Sequence, residues 1–293
     1  MALFLGRYSR LVFLGDSNAD NGNVLRMTRG THPAPAGVYW QGRYCDGRAW
    51  CDHLEAMSGV PALNLAHGCA TIDNDLVAGT VPMPDGRRAQ VPSVVDQARQ
   101  LAAGQGRLGP GELVFVQAGS NDLNSLVDAG PTYRRRRDFT PQLLAARLLG
   151  AVGWLCAHAG ARTVVVLNVR PREDYPGVLA LGDPQALELT RQATSVLNAA
   201  IAAEAAALQR ALGGGHRVAV FDTYAFQKAI SRAPAAFGID PDLRTPRYSG
   251  EAQPLRAGPR LFLDGAHLAR RAQALLAAEV IRDLALGIAG EEP

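Results

Sequence analysis

Leu11-Val12-Phe13-Leu14-Gly15-Asp16-Ser17, with Asp20, Gly22 and Asn23 close behind, decides the fold of this chain. A near-continuous apolar run is the mark of a strand covered on both faces, and the glycine and polar residues that end it bring the chain back to solvent. Two more blocks share this design. Leu113 to Val116 leads to Gly119-Ser120-Asn121-Asp122, and Leu261-Phe262-Leu263 leads to Asp264-Gly265-Ala266-His267. The ends of parallel strands are where open sheets place their chemistry.

Outward from these blocks, apolar runs recur at residues 11–16, 61–66, 113–118, 163–169 and 217–222. The segments between them, Gly47 to Ser58, Ser93 to Ala103, Pro141 to Ala159 and Pro184 to Leu212, are long enough for crossover helices, and the last is rich in helix formers. Such alternation predicts an α/β fold, with a parallel sheet, right-handed crossovers and helices on both faces. A final helix is expected from about Leu268 to Leu286. The Pro/Gly-rich stretches 30–37, 79–92 and 241–260 read as long loops of the kind that form rims or lids. With no internal repeat and no linker, residues 1–293 are expected to form a single domain.

The composition, 47% hydrophobic and 19% charged over 293 residues, supplies a sizeable core and argues against disorder. The formal charge of +3 is small and rests on arginine, since Lys228 is the only lysine, so no general nucleic-acid role follows. The densest basic run, Arg134 to Arg137, reads either as a solvated segment or as an electrostatic lure for an anionic substrate or carrier. Cys45, Cys51, Cys69 and Cys156 lack metal-ligand or disulfide spacing and are expected to be free thiols, with no metal. Neither a secretory leader nor about 18 consecutive apolar residues is visible, which predicts a cytoplasmic protein without a membrane span, a leader removed beforehand being the alternative.

Ser17 at a strand-to-helix turn has an exposed hydroxyl, and a serine needs a base within hydrogen-bond reach to act as a nucleophile. His267 is the candidate base, and Asp264 can accept from its far ring nitrogen. An acyl-transfer site also needs oxyanion donors. The candidates are the Ser17 N–H, the Asn121 side chain at the end of the third strand, and the Gly68-Cys69 turn after the second.

These residues resemble the GDSL family of lipases and esterases, also called SGNH hydrolases, in its larger plant and bacterial lipase-like branch. The resemblance rests on the Ser17 block, on Gly42-Arg43-Tyr44-Cys45-Asp46-Gly47-Arg48-Ala49-Trp50, on Asn64-Leu65-Ala66-His67-Gly68-Cys69-Ala70, on Gly119 to Asp122 and on Asp264 to His267. It implies a flavodoxin-like three-layer α/β/α sandwich with a five-stranded parallel sheet, an acyl intermediate on Ser17, and no metal or organic cofactor. Where relatives carry the oxyanion glycine this chain has Cys69, preceded by Gly68. Asp16 and Asp122, with Arg170 and Arg172, are candidate substrate-rim residues. Arg170 and Arg172 stand where relatives carry an apolar turn; they read either as a grip on a carboxylate or phosphate or as an ion-pair cluster with Glu173 and Asp174.

The function expected is cleavage of a small-molecule carboxylic ester or acyl thioester, anionic or carrier-bound substrates included. The alternatives are acyl transfer to an alcohol or amine by the same residues, and a binding protein on a hydrolase fold.

Overall fold

The computed structural model describes residues 5–104, 108–128, 139–250 and 255–289. Its strands, in chain order, are β1 (Arg10–Gly15), β2 (Ala62–Asn64), β3 (Thr80–Pro82), β4 (Arg88–Gln90), β5 (Glu112–Gln117), β6 (Thr163–Leu167) and β7 (Arg217–Phe221). Five of them form one sheet in the order β2-β1-β5-β6-β7, every neighbouring pair parallel. All five expected runs are therefore strands of that sheet. The chain builds outward from β1 in both directions, so the crevice beside the carboxyl end of β1 is the topological switch point. Gly15 and Gln117 are paired at the ends of β1 and β5, which sets the Ser17 turn beside Ser120 and Asn121.

Alternation along each strand produces the layers, because successive side chains point to opposite faces. Val12, Leu14, Val114, Val116, Val164 and Val166 pack with Leu101, Leu148 and Leu197 of the helices Val94–Gly104, Pro141–Trp154 and Pro184–Leu212. Leu11, Phe13, Leu113, Phe115, Val165 and Leu167 pack with Trp50, Leu54, Leu276 and Ile281 of the helices Trp50–Ser58 and Arg270–Ala289. On that second face Phe13 stacks on Phe115 at 5.2 Å and meets the edge of Trp50 at 5.3 Å. Removing such a buried ring costs about 3–5 kcal/mol.

Local chemistry starts the long helices where they are needed. Thr140 accepts the Leu143 N–H and Asp183 accepts those of Gln185 and Ala186, each one residue ahead of a proline in the first helical turn. Asp222 caps the helix Thr223–Arg232 through the Ala225 N–H.

Three expectations change. Stretch 79–92 is a loop only in part, because β3 and β4 pair antiparallel within it. The last helix begins at Arg270, after an isolated bridge between Phe262 and Leu268 that folds Asp264 to His267 into a closed turn. Pro141–Ala159 is long and apolar enough to cross a membrane by length and composition; half of it is buried in the fold, with Leu144, Leu148 and Val152 in the core. Arg134 to Arg137 lie outside the described residues, and all four cysteines are free thiols.

Candidate active site

The turn that carries Ser17 is built by its neighbours. Gly15 has φ +152° and lies so close to β5 that a Cβ there would stand 2.3 Å from the Gln117 carbonyl, so glycine is required. The amide of Gln97 holds both backbone groups of Gly15, accepting its N–H at 2.7 Å and donating to its carbonyl at 2.9 Å. Asp16 accepts the Asn18 N–H at 2.9 Å and the Asn18 side-chain amide at 2.7 Å, which closes the turn around Ser17. Asp20 accepts the N–H groups of Gly22, Asn23 and Gly68 at 2.7–2.8 Å and so ties this turn to the one after β2.

The Ser17 hydroxyl meets His267 Nε2 at 2.9 Å. On the other side of the ring, His267 Nδ1 donates to Asp264 Oδ2 at 2.8 Å, and these partners assign the tautomer that leaves Nε2 as acceptor. Asp264 Oδ1 also accepts the N–H groups of Ala266 at 2.9 Å and His267 at 2.8 Å, so a spacing of three residues suffices inside one turn. Burial opposes ionisation of Asp264. The charge and hydrogen bonds of His267, with those backbone N–H groups, outweigh it and hold the carboxyl well below its usual range.

The candidate oxyanion donors divide. Gly68 donates its N–H to Asp20 Oδ2 at 2.7 Å, so that group is occupied and the sequence expectation for Gly68 does not hold. Gly68 matters for space instead, since a Cβ there would stand 2.1 Å from the Tyr44 hydroxyl. Cys69 has φ +64°, so the cysteine adopts the left-handed backbone that glycine reaches more readily. Among the described residues neither the Cys69 N–H nor the Ser17 N–H meets an acceptor. Asn121 donates one amide hydrogen to the Ala70 carbonyl at 2.8 Å and keeps the other.

Ser17, Asn121 and His267 share a cavity of about 380 Å³ with Asn18, Asn124, Arg170, Arg172 and Val178. Arg170 and Arg172 are in its wall but buried, not on an exposed rim. Arg170 binds Gln227, Asn18 and the Ala266 carbonyl, and Arg172 binds Asn124. Glu173 and Asp174 are engaged by Lys228, at 3.0 and 2.8 Å. Asp16 and Asp122 are not rim residues either. Both are buried, Asp16 in the Ser17 turn and Asp122 against the Ile72 N–H, because carboxylates next to strand ends serve here to satisfy backbone donors. Among the described residues no group of three or more His, Cys, Asp or Glu side chains is placed to hold a metal ion.

Two tyrosines complete the site, Tyr39 without a local sequence signal and Tyr44 from the Gly42 to Trp50 block. Tyr39 donates its hydroxyl to Asp264 Oδ2 at 2.8 Å from 225 residues away. Tyr44 lies with its ring centroid 5.0 Å from that of His267 and 5.9 Å from that of Tyr39.

The thermolabile hemolysin of Vibrio parahaemolyticus is 24% identical over 232 residues, which is 79% of this chain and 49% of that protein. This chain thus spans about half the length of the curated relative it matches. Among solved structures, phospholipase A1 from Streptomyces albidoflavus is similar over 94% of this chain and 98% of its own, at 14% identity and a TM-score of 0.47. The extracellular lipase of Streptomyces rimosus is similar over 93% and 99%, at 18% identity and a TM-score of 0.48. A family model described as GDSL-like Lipase/Acylhydrolase matches residues 11–280, from the second residue of β1 to deep in the last helix. That match takes in both the Ser17 turn and the Asp264 to His267 turn, and by it the chain belongs to the GDSL-like lipase/acylhydrolase family.

Proposed function

We propose that the chain hydrolyses small-molecule carboxylic esters or thioesters through an acyl intermediate on Ser17. The observation that carries this reading is the continuous line from the Ser17 hydroxyl through both ring nitrogens of His267 to the Asp264 carboxylate, at 2.9 and 2.8 Å. Ser17 Oγ attacks the carbonyl carbon while its proton passes to His267 Nε2, and Asp264 stabilises the imidazolium. The negative oxygen of the tetrahedral intermediate is held by the Ser17 N–H, the Cys69 N–H and the remaining amide hydrogen of Asn121. Collapse breaks the bond to the leaving alcohol or thiol, which takes the proton from His267. Water then attacks the acyl-serine by the same route, releasing the acid and restoring Ser17.

The cavity wall mixes polar and apolar groups, Asn18, Asn124 and Arg172 beside Tyr175, Val178 and Ala266, a lining that suits a compact ester.

Intact mass after treatment with a fluorophosphonate tests the reading without a chosen substrate. Single labelling of the wild type, abolished in Ser17→Ala and His267→Ala, is expected; folded wild type that stays unlabelled overturns it. An acceptor other than water would use the same residues, and product analysis with and without a competing alcohol separates transfer from hydrolysis.

A further inference from the structure

The loop after β6 carries one side chain that touches both halves of the site. Arg170 is only 3% exposed, and its Nη2 donates to Asn18 Oδ1 at 3.0 Å and to the Ala266 carbonyl at 2.8 Å. Nη1 donates to Gln227 Oε1 at 3.0 Å, and the guanidinium carbon lies 4.8 Å from the centroid of the Tyr175 ring. Asn18 follows Ser17, and Ala266 precedes His267. On its far side Asn18 is fixed by Asp16, so a polar line from Asp16 through Asn18 and Arg170 to Ala266 runs beside the Ser17–His267 hydrogen bond, one residue away at each end.

The two turns need such a tie. They stand 250 residues apart in the chain, and among the described residues no backbone hydrogen bond joins 16–19 to 264–267. Both turns are closed internally, by Asp16 and by Asp264, so each behaves as a small rigid unit whose position relative to the other is a separate matter.

We propose that Arg170 is a positioning residue that sets the distance and angle between Ser17 and His267. The inference rests on the reading of those two side chains as the reacting pair. A planar guanidinium suits the task, because its rigid fork reaches several fixed acceptors at once while an ammonium acts as a single point. Its hydrogen bonds go to two neutral side-chain oxygens and a carbonyl, so they fix the turns, while its charge also favours the ionised form of the buried Asp16. Misplacement of reacting groups by about 1 Å costs on the order of a hundredfold in rate. Arg170 also lines the cavity, so deleting its side chain opens a guanidinium-shaped space onto it.

The test compares wild type, Arg170→Ala, Arg170→Lys and Ser17→Ala by fluorophosphonate labelling rate, by kcat and KM on one ester the wild type turns over, and by thermal melting. Arg170→Ala and Arg170→Lys are expected to be labelled on the order of tenfold to a hundredfold more slowly than wild type, the loss falling in kcat rather than KM. Millimolar guanidinium restores part of the rate to Arg170→Ala and none to Ser17→Ala, a response that simple loss of stability would not give.

Labelling of folded Arg170→Ala or Arg170→Lys at the wild-type rate overturns the proposal, as does a slow Arg170→Ala that guanidinium leaves unchanged. If Arg170→Ala does not fold, folded Arg170→Lys decides, slower labelling at an unchanged melting temperature supporting the tie and a wild-type rate overturning it. Wild type that is never labelled removes the hydrolase reading itself, a different result from any of these.

Discussion

Asp122→Asn removes a titration that the fold suppresses, and the size of the effect follows from where the carboxyl sits. Asp122 is fully buried beside the candidate oxyanion residue Asn121 and accepts the Ile72 N–H at 3.1 and 3.2 Å. Burial is the larger influence, the like charges of Asp16 and Asp73 add to it, and together they push the carboxyl from 3.8 up to about 7. Below the lower value both folded and unfolded chains hold the proton. As pH rises between the two values the unfolded chain releases it and the folded chain does not, so stability falls. Above about 7 both states are ionised and the loss is constant. At about 1.4 kcal/mol for each pH unit, a window of roughly three units amounts to about 4 kcal/mol.

The assay is urea denaturation of wild type and Asp122→Asn at steps across that window. Asparagine keeps an acceptor for Ile72 and brings two amide hydrogens of its own, which adds an offset independent of pH. The informative quantity is therefore the slope. The stability of the variant relative to wild type should climb with pH by up to about 4 kcal/mol and level off near neutrality. A difference that stays flat from acid to neutral pH would refute the reasoning, because it would mean that the folded chain ionises Asp122 as readily as the unfolded one.

Three further outcomes follow from the site. Tyr39→Phe removes one charge-assisted hydrogen bond that fixes Asp264, worth about 1.5–3 kcal/mol, so kcat should fall roughly tenfold or more with KM little changed. Gly15→Ala forces a Cβ against the Gln117 carbonyl and should lower the melting temperature markedly while disordering the Ser17 turn, seen together as loss of labelling. Cys69→Gly relieves a left-handed cysteine, a strain of about 1–2 kcal/mol, and adds freedom to the unfolded chain worth about 0.5–1 kcal/mol, so stability should change by about 1 kcal/mol or less. Its labelling rate should not fall, since the backbone N–H stays; a large fall would assign a role to the thiol.

The parts of this molecule legible in the sequence are those where one local pattern has one physical meaning. An apolar run closed by glycine and a polar turn is such a pattern, which is why the five strands and the Ser17, Asn121 and Asp264 to His267 turns were readable, and β1 beside β5 then brought them together. Acidic residues next to those turns carry no such unique meaning. Asp16, Asp20 and Asp122 could each have faced a substrate, and what decides otherwise is the demand of nearby N–H groups at Asn18, Gly68 and Ile72, visible only once the strands are paired. Arg170 and Tyr39 are harder still, because each acts on a residue far away in the chain and sits on a loop whose path no periodicity describes. Arg170 is the sharper case. Its position in the sequence pointed to the right cavity, while its charge left a grip on an anion and an ion-pair cluster with Glu173 and Asp174 both open. The fold turns that charge inward, onto Asn18, Gln227 and the Ala266 carbonyl, so that the residue does neither and instead holds together the two turns that would act on a substrate.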